Sequence, residues 1–151
     1  MKENEATEIT SAEKIWSDRS ILKAIPNSSG KPLELKIKNP EITFEGVKAQ
    51  PDFGTAYLTF YPKDLLIELK SLKEYFVDFR SRVLSYERFT SVVYDDIMAV
   101  YKPERFRIAI YLRPRGGIFA KCTLDSDWPV LGGEDKYKDA NENDGADWPN
   151  L

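Results

Sequence analysis

The sequence predicts a small α+β domain built in the order ββααββ. Three observations carry this: two runs of alternating apolar and polar residues, two apolar stripes at helical spacing, and two further alternating runs. That order gives an antiparallel sheet with both helices on one face.

The first run is Leu33-Glu34-Leu35-Lys36-Ile37-Lys38 and the second is Thr55-Ala56-Tyr57-Leu58-Thr59-Phe60-Tyr61. Alternation sends successive side chains to opposite faces, so each strand offers one face to a core. Leu72, Tyr75, Phe76, Phe79 and Val83 then recur at helical spacing. Ser71 followed by Glu74 has the form of a capping box, which predicts a helix over about 71–82. A second stripe runs through Phe89, Val92, Val93, Ile97 and Val100, opening after Ser85 and closing before Pro103. Phe106, Ile108, Ile110 and Leu112 next alternate with Arg105, Arg107, Ala109, Tyr111 and Arg113. Pro114-Arg115-Gly116-Gly117 interrupts this strand before a shorter run from Ile118 to Thr123.

A chain of 151 residues that is 42% hydrophobic and 31% charged is sized for one domain with an ordinary core. The predicted organisation is a polar N-terminal tail over 1–17, the folded domain over 18–126 and an acidic tail over 127–151. The stretch from Gly132 to Leu151 is too polar to bury a core of its own, with Trp128 and Trp148 as the anchors that could dock the tail. No apolar run approaches the roughly 18 to 20 residues needed to cross a bilayer, and the charged start resembles no signal peptide. A cytoplasmic protein without membrane contact is expected. The net charge of −3 argues against a general attraction to nucleic acid while leaving local basic patches open.

The chain has no histidine and one cysteine, so neither a His-based zinc site nor a Ser-His-Asp or Cys-His pair can be assembled within it. No twelve-residue calcium loop and no phosphate-cradling glycine loop is present, and no metal is expected. Cys122 reads as a small buried strand residue. One ββααββ unit leaves sheet edges exposed, so a homo-oligomer that closes a barrel is expected; a two-layer monomer is the alternative.

Several segments carry a more specific signal. Gln50-Pro51-Asp52-Phe53-Gly54-Thr55, Glu68-Leu69-Lys70-Ser71-Leu72-Lys73-Glu74-Tyr75, Phe79-Arg80 and Pro114-Arg115-Gly116-Gly117-Ile118 occur in this order. So arranged, they resemble the motifs of the 7-cyano-7-deazaguanine (nitrile) reductases of queuosine biosynthesis, a tRNA-modification pathway. Ile25-Pro26-Asn27 and Asn39-Pro40-Glu41 are similar to upstream segments of that family. The resemblance spans about 18–123 and implies the tunnel fold, in which ββααββ subunits form ring barrels and bind purine-like rings between subunits. It also implies reduction of a 7-cyano-7-deazaguanine to its 7-aminomethyl form with NADPH. A nitrile accepts hydride poorly, so the family's thiolate first adds to it and an acid supplies protons to nitrogen. By resemblance Asp52 matches that acid. Glu68, Lys70, Ser71 and Lys73 match the NADPH-associated motif, with Arg115 and Gly116 as further cofactor-binding candidates. Glu87, with Tyr86 before it, matches the glutamate that holds the deazaguanine.

Two positions depart from the pattern. Seven residues before Asp52, where the family places its cysteine, stands Glu45, with Phe44 and Gly46 as the other possible matches. Tyr86 replaces the histidine that precedes the family's base-binding glutamate. Plainer readings accompany each candidate: Lys70, Ser71, Lys73 and Glu74 as a capped helix start, Asp52 as a turn residue, and Glu87 as a carboxylate favoured by the positive helix end. Three functions follow: a nitrile reductase-like oxidoreductase, a divergent enzyme on a purine- or pterin-like ring using Asp52 and Glu45 as acid and base, or a noncatalytic protein that binds a deazaguanine or a tRNA bearing one.

Overall fold

Four long strands and two helices dominate the architecture. The computed structural model describes residues 16–46, 48 and 50–137. The elements are β1 (Ala24–Pro26), β2 (Leu35–Glu45), β3 (Pro51–Tyr61), β4 (Leu65–Ile67), α1 (Leu69–Asp78), α2 (Tyr86–Tyr101), β5 (Arg105–Arg115) and β6 (Ile118–Asp125). The long strands form one antiparallel sheet in the order β2-β3-β5-β6, and β1 pairs with β4 in a separate two-stranded sheet. The expected ββααββ order is therefore present. The small β1–β4 pair is an addition, made of strands too short to show a period.

Alternation decides the faces. Ala56, Leu58 and Phe60 of β3 and Phe106, Ile108 and Ile110 of β5 are fully buried and meet the helices, which contribute Leu72, Tyr75, Phe76, Phe89, Val93 and Ile97 to the same core. Phe44 stacks on Phe89 with centroids 4.8 Å apart, and Tyr94 stacks on Phe106 at 6.0 Å, fixing α2 over the sheet. The register of β2 on β3 breaks between Asn39 and Ile42. Pro40, which lacks an N–H, lies in that break. After it Ile42 and Phe44, rather than odd-numbered residues, face the core.

The helix starts differ in how closely they follow the sequence pattern. Ser85 caps α2 as expected, its hydroxyl accepting the Arg88 N–H at 3.1 Å. α1 starts earlier than the capping box predicts, because the Glu68 carboxylate takes the cap and accepts the Ser71 N–H at 2.6 Å. Ser71 is itself buried; its hydroxyl donates to the Glu68 carbonyl at 2.7 Å and accepts the Lys23 N–H at 2.9 Å. α1 ends at Asp78 in a 3₁₀ turn over Phe79–Ser81, so Val83 leaves the helical stripe and bridges Glu45 in parallel.

Both ends of the described chain pack. Asp96, 3% exposed on α2, accepts the hydroxyls of Ser17 at 2.7 Å and Tyr75 at 2.6 Å, and Arg19 Nε at 2.8 Å. At the other end, Asp127 accepts the N–H groups of Lys136 and Tyr137 at 3.1 and 2.8 Å. The Arg105 guanidinium lies 5.3 Å from the Tyr61 ring and 4.9 Å from that of Tyr137, and pairs with Asp125 through Nη2 at 2.8 Å and Nε at 3.2 Å. Chain packing thus continues from residue 126 through Tyr137. The remainder of the predicted tails, 1–15 and 138–151 with Trp148, lies outside the described residues. Among the described residues, no helix is long and apolar enough to cross a membrane.

Candidate functional site

The β2–β3 hairpin tip, the β5–β6 tip and the start of α2 sit at one end of the sheet. Phe44 is opposite Asp52 and Glu45 opposite Pro51, while the Leu84 N–H donates to the Glu45 carbonyl at 3.0 Å just before α2 begins. Tyr86, Glu87, Glu45 and Asp52 are thereby carried to the same end. Asp52 shares the helix-side face with Phe44, and its side chain is 15% exposed. Arg115 Nη1 pairs with its Oδ1 at 2.9 Å, and Arg115 Nη2 donates to Gln50 Oε1 at 3.2 Å. Arg115, three residues beyond Leu112, would fall on the other face of a regular strand. The register shift between Leu112 and Arg115, at Pro114, turns it toward Asp52. Gly116 and Gly117, at φ +59° and +81°, then make the two-residue turn that glycine permits. An open cleft of about 540 Å³ lies here between Gln50, Asp52, Phe53, Arg113 and Arg115.

The three possible matches to the missing cysteine have different surroundings. Phe44 is fully buried in the core. Glu45, one residue on, directs its side chain to the face opposite Asp52, so the sheet does not bring these two carboxylates together. Gly46 lies against Asp52, and a Cβ added there would come within 2.7 Å of Asp52 Oδ2 and 2.9 Å of the Gln50 carbonyl oxygen, too close for any side chain unless the tip shifts. Cys122 is half-buried rather than buried, since β6 is an edge strand of the sheet; it pairs with Ile110, which pairs with Ala56, four residues from Asp52. Two strand spacings and four residue rises put it about 17 Å from Asp52. It lies instead near Tyr86, whose hydroxyl is shifted upward by partial burial, then by the charge of Glu87 and by Cys122. Glu87 is exposed in the first turn of α2.

The cofactor candidates divide. Glu68, Lys70 and Ser71 lie at the start of α1, at the opposite end of the sheet from Asp52. The Glu68 carboxyl is held below its ordinary value by the N–H and hydroxyl of Ser71, against a smaller upward push from desolvation. Lys70 and Lys73 are exposed, and Lys73 lines a groove of about 300 Å³ between β2 and α1 with Leu72, Phe76 and Arg80. Arg80, which the motif contained without a role, stands in the 3₁₀ turn that follows α1 and lines the same groove as Lys73.

Fold and site together define a ββααββ α+β protein with its carboxylate–arginine pair at the hairpin tips. Residues 51–129 match the family model described as QueF-like protein. The NADPH-dependent 7-cyano-7-deazaguanine reductase of Chlorobium phaeobacteroides is 35% identical over 113 residues, covering 74% of this chain and 96% of that protein. The enzyme of the same name from Chloroherpeton thalassium is 40% identical over 90 residues, 59% of this chain and 78% of that one. The crystal structure of the archaeosine synthase QueF-Like in the apo form shares the fold at a TM-score of 0.55 and 12% identity, covering 65% of this chain and 95% of that chain. The chain belongs to the QueF-like family, and its architecture is the tunnel-fold unit that the motifs implied.

Proposed function

We propose that this protein binds a 7-cyano-7-deazaguanine or a closely related base as a cytoplasmic, homo-oligomeric reductase-family member that lacks the covalent thioimide step. The observation carrying this is at the hairpin tip: Gly46, the possible cysteine match that lies against Asp52, has no side chain, and Glu45 points to the other face. Without a soft nucleophile beside the acid, the nitrile carbon has no thiolate to add to it. Glu87 accepts the N–H groups of a guanine-like edge, with Tyr86 beside it, and Asp52 bound to Arg115 supplies the polar end of the cleft.

When bound, NADPH supplies hydride. The exposed Lys70 and Lys73 and the half-exposed Arg115 fit its phosphates, and Gly116 leaves the approach to Arg115 unobstructed. Ser71 does not fit as a direct contact, because its hydroxyl is buried and already engaged with Lys23 and Glu68; it holds the helix start. Separation of the α1 start from Asp52 supports a site completed by a second subunit, in which one copy's cofactor end meets the other's cleft.

The test is intact mass and NADPH absorbance on protein mixed with 7-cyano-7-deazaguanine, with light scattering on the same sample. The expected result is an oligomer that binds the base without a covalent adduct and reduces it slowly or not at all. Gly46→Cys and Glu45→Cys compare the two faces, and no adduct is expected from Glu45→Cys. Gly46→Cys forms one only where the hairpin tip shifts to relieve the 2.9 Å approach of its Cβ to the Gln50 carbonyl, with circular dichroism reading whether the fold is kept. An adduct on the unaltered protein that vanishes in Cys122→Ala would overturn the proposal, and a monomer would remove the shared site.

A further inference from the structure

We propose that the helix-free face of the four-stranded sheet is a docking surface for the acidic segment 138–151 of the same chain. Register puts Lys36 and Lys38 of β2, Tyr57 of β3, Tyr111 of β5 and Lys121 of β6 on this face. The rings of Tyr57 and Tyr111 meet edge-on at 5.3 Å across the two central strands. Lys38 Nζ lies 5.6 Å from the Tyr57 ring and Lys121 Nζ 5.2 Å from that of Tyr111. Aromatic rings in the middle flanked by cations form a surface for an anionic partner that also carries an aromatic side chain.

The chain supplies such a partner at the right place. Tyr61 and Arg105 face each other on this same side of the sheet, and Tyr137 seals them, so the last described residue is already seated on one end of the surface. The 14 residues that follow carry Asp139, Glu142, Asp144, Asp147 and Trp148 against a single Lys138. Tyr111 is six residues along β5 from Arg105, about 20 Å. Trp148 is eleven residues from Tyr137, a reach of up to about 36 Å. The acids therefore span the cations and the indole reaches the tyrosines. Tethering holds the segment at an effective concentration in the millimolar range, against which a free polyanion must compete. Single-stranded nucleic acid suits the same mix of rings and cations, and is kept off the face in the native chain.

The experiment uses the full chain in three forms: unaltered, Lys38→Glu with Lys121→Glu, and a neutralised form with Asp139→Asn, Glu142→Gln, Asp144→Asn and Asp147→Asn. Hydrogen exchange by mass spectrometry reads the amides of 139–148. In low salt they exchange at least about tenfold more slowly in the unaltered chain than in either variant, and high salt removes the difference. The neutralised form binds a uridine decamer at least about tenfold more tightly than the unaltered chain. Zero-length carboxyl–amine cross-links join the segment to Lys36, Lys38 or Lys121 within one chain in a mixture of ¹⁴N and ¹⁵N protein. Unprotected amides in the unaltered chain, equal affinity for the decamer, or links only between chains each overturn the proposal; the last assigns the face to a second copy. Should the lysine variant fail to fold, the neutralised form, altered only outside the sheet, carries the comparison.

Discussion

Replacing Arg105 by methionine removes the most deeply buried charge among the described residues. Arg105 is 1% exposed, and its bidentate pair with Asp125, itself 3% exposed, is closed over by the rings of Tyr61 and Tyr137. Breaking such a pair from one side leaves the partner charge desolvated and costs about 3 to 5 kcal/mol. Arg107 Nη1 lies 3.4 Å from Asp125 Oδ2 and takes up part of that charge, so the lower end applies, about 3 kcal/mol. For a domain of this size that is a fall in Tm of roughly 6 to 12 °C, and a large share of a total stability of about 5 to 15 kcal/mol. Urea and thermal unfolding followed by circular dichroism measure it. Arg105→Met with Asp125→Leu should recover most of the loss, because replacing both members of a buried pair by apolar groups is often neutral. A single-variant loss below about 1 kcal/mol, the value typical of an exposed pair, would refute the reasoning. So would a double variant as unstable as the single one.

Two further outcomes are expected. Glu87→Gln should weaken binding of a deazaguanine by about tenfold or more in calorimetry, since each charge-assisted hydrogen bond is worth about 1.5 to 3 kcal/mol; unchanged affinity would remove Glu87 from the site. Burial alone would raise the Asp125 carboxyl, but the hydrogen bonds from Arg105 and the Asp127 N–H, with the charges of Arg105 and Arg107, bring it below its ordinary value. Its contribution is therefore present above the unfolded carboxyl range near about pH 4 and lost as pH falls through the lower folded value. Urea midpoints from about pH 5 to about pH 2 should drop less in Asp125→Asn than in the unaltered chain.

The core strands were legible because Leu58, Phe60, Ile108 and Ile110 obey a strict period of two. The first part of β3 was not, since Asp52 and Gly54 replace large apolar residues there. Gly54 stands where a Cβ would meet the Tyr111 carbonyl at 2.6 Å, a constraint from a partner strand that no local pattern reveals. α1 was misplaced by a few residues because Glu68, not Ser71, reached the free N–H groups. At the candidate site, motif resemblance named Asp52 and Arg115, but their pairing depends on a bulge at Pro114 that reverses a side chain. The same alternation that exposed the core also separates Glu45 from Asp52, once the Pro40 irregularity is counted. Packing through Tyr137 was hidden for a different reason: it rests on a buried ion pair, ring contacts and the Asp127 carboxylate rather than on apolar periodicity.

Asp96 has a consequence for how the chain reaches this structure. Ser17 is 79 residues away from it in sequence, and closing a loop of that length costs about 4 kcal/mol of chain entropy before any bond forms. During synthesis the segment around Ser17 and Arg19 emerges early and has no partner until α2 has been made and laid on the sheet. Its three-way anchorage with Tyr75 is then a closing step that rewards only a chain already folded. An anchorage that closes late acts on the rate of unfolding, so Asp96→Asn is expected to speed unfolding in stopped-flow denaturant jumps and to leave the folding rate almost unchanged, as a latch on the finished domain would.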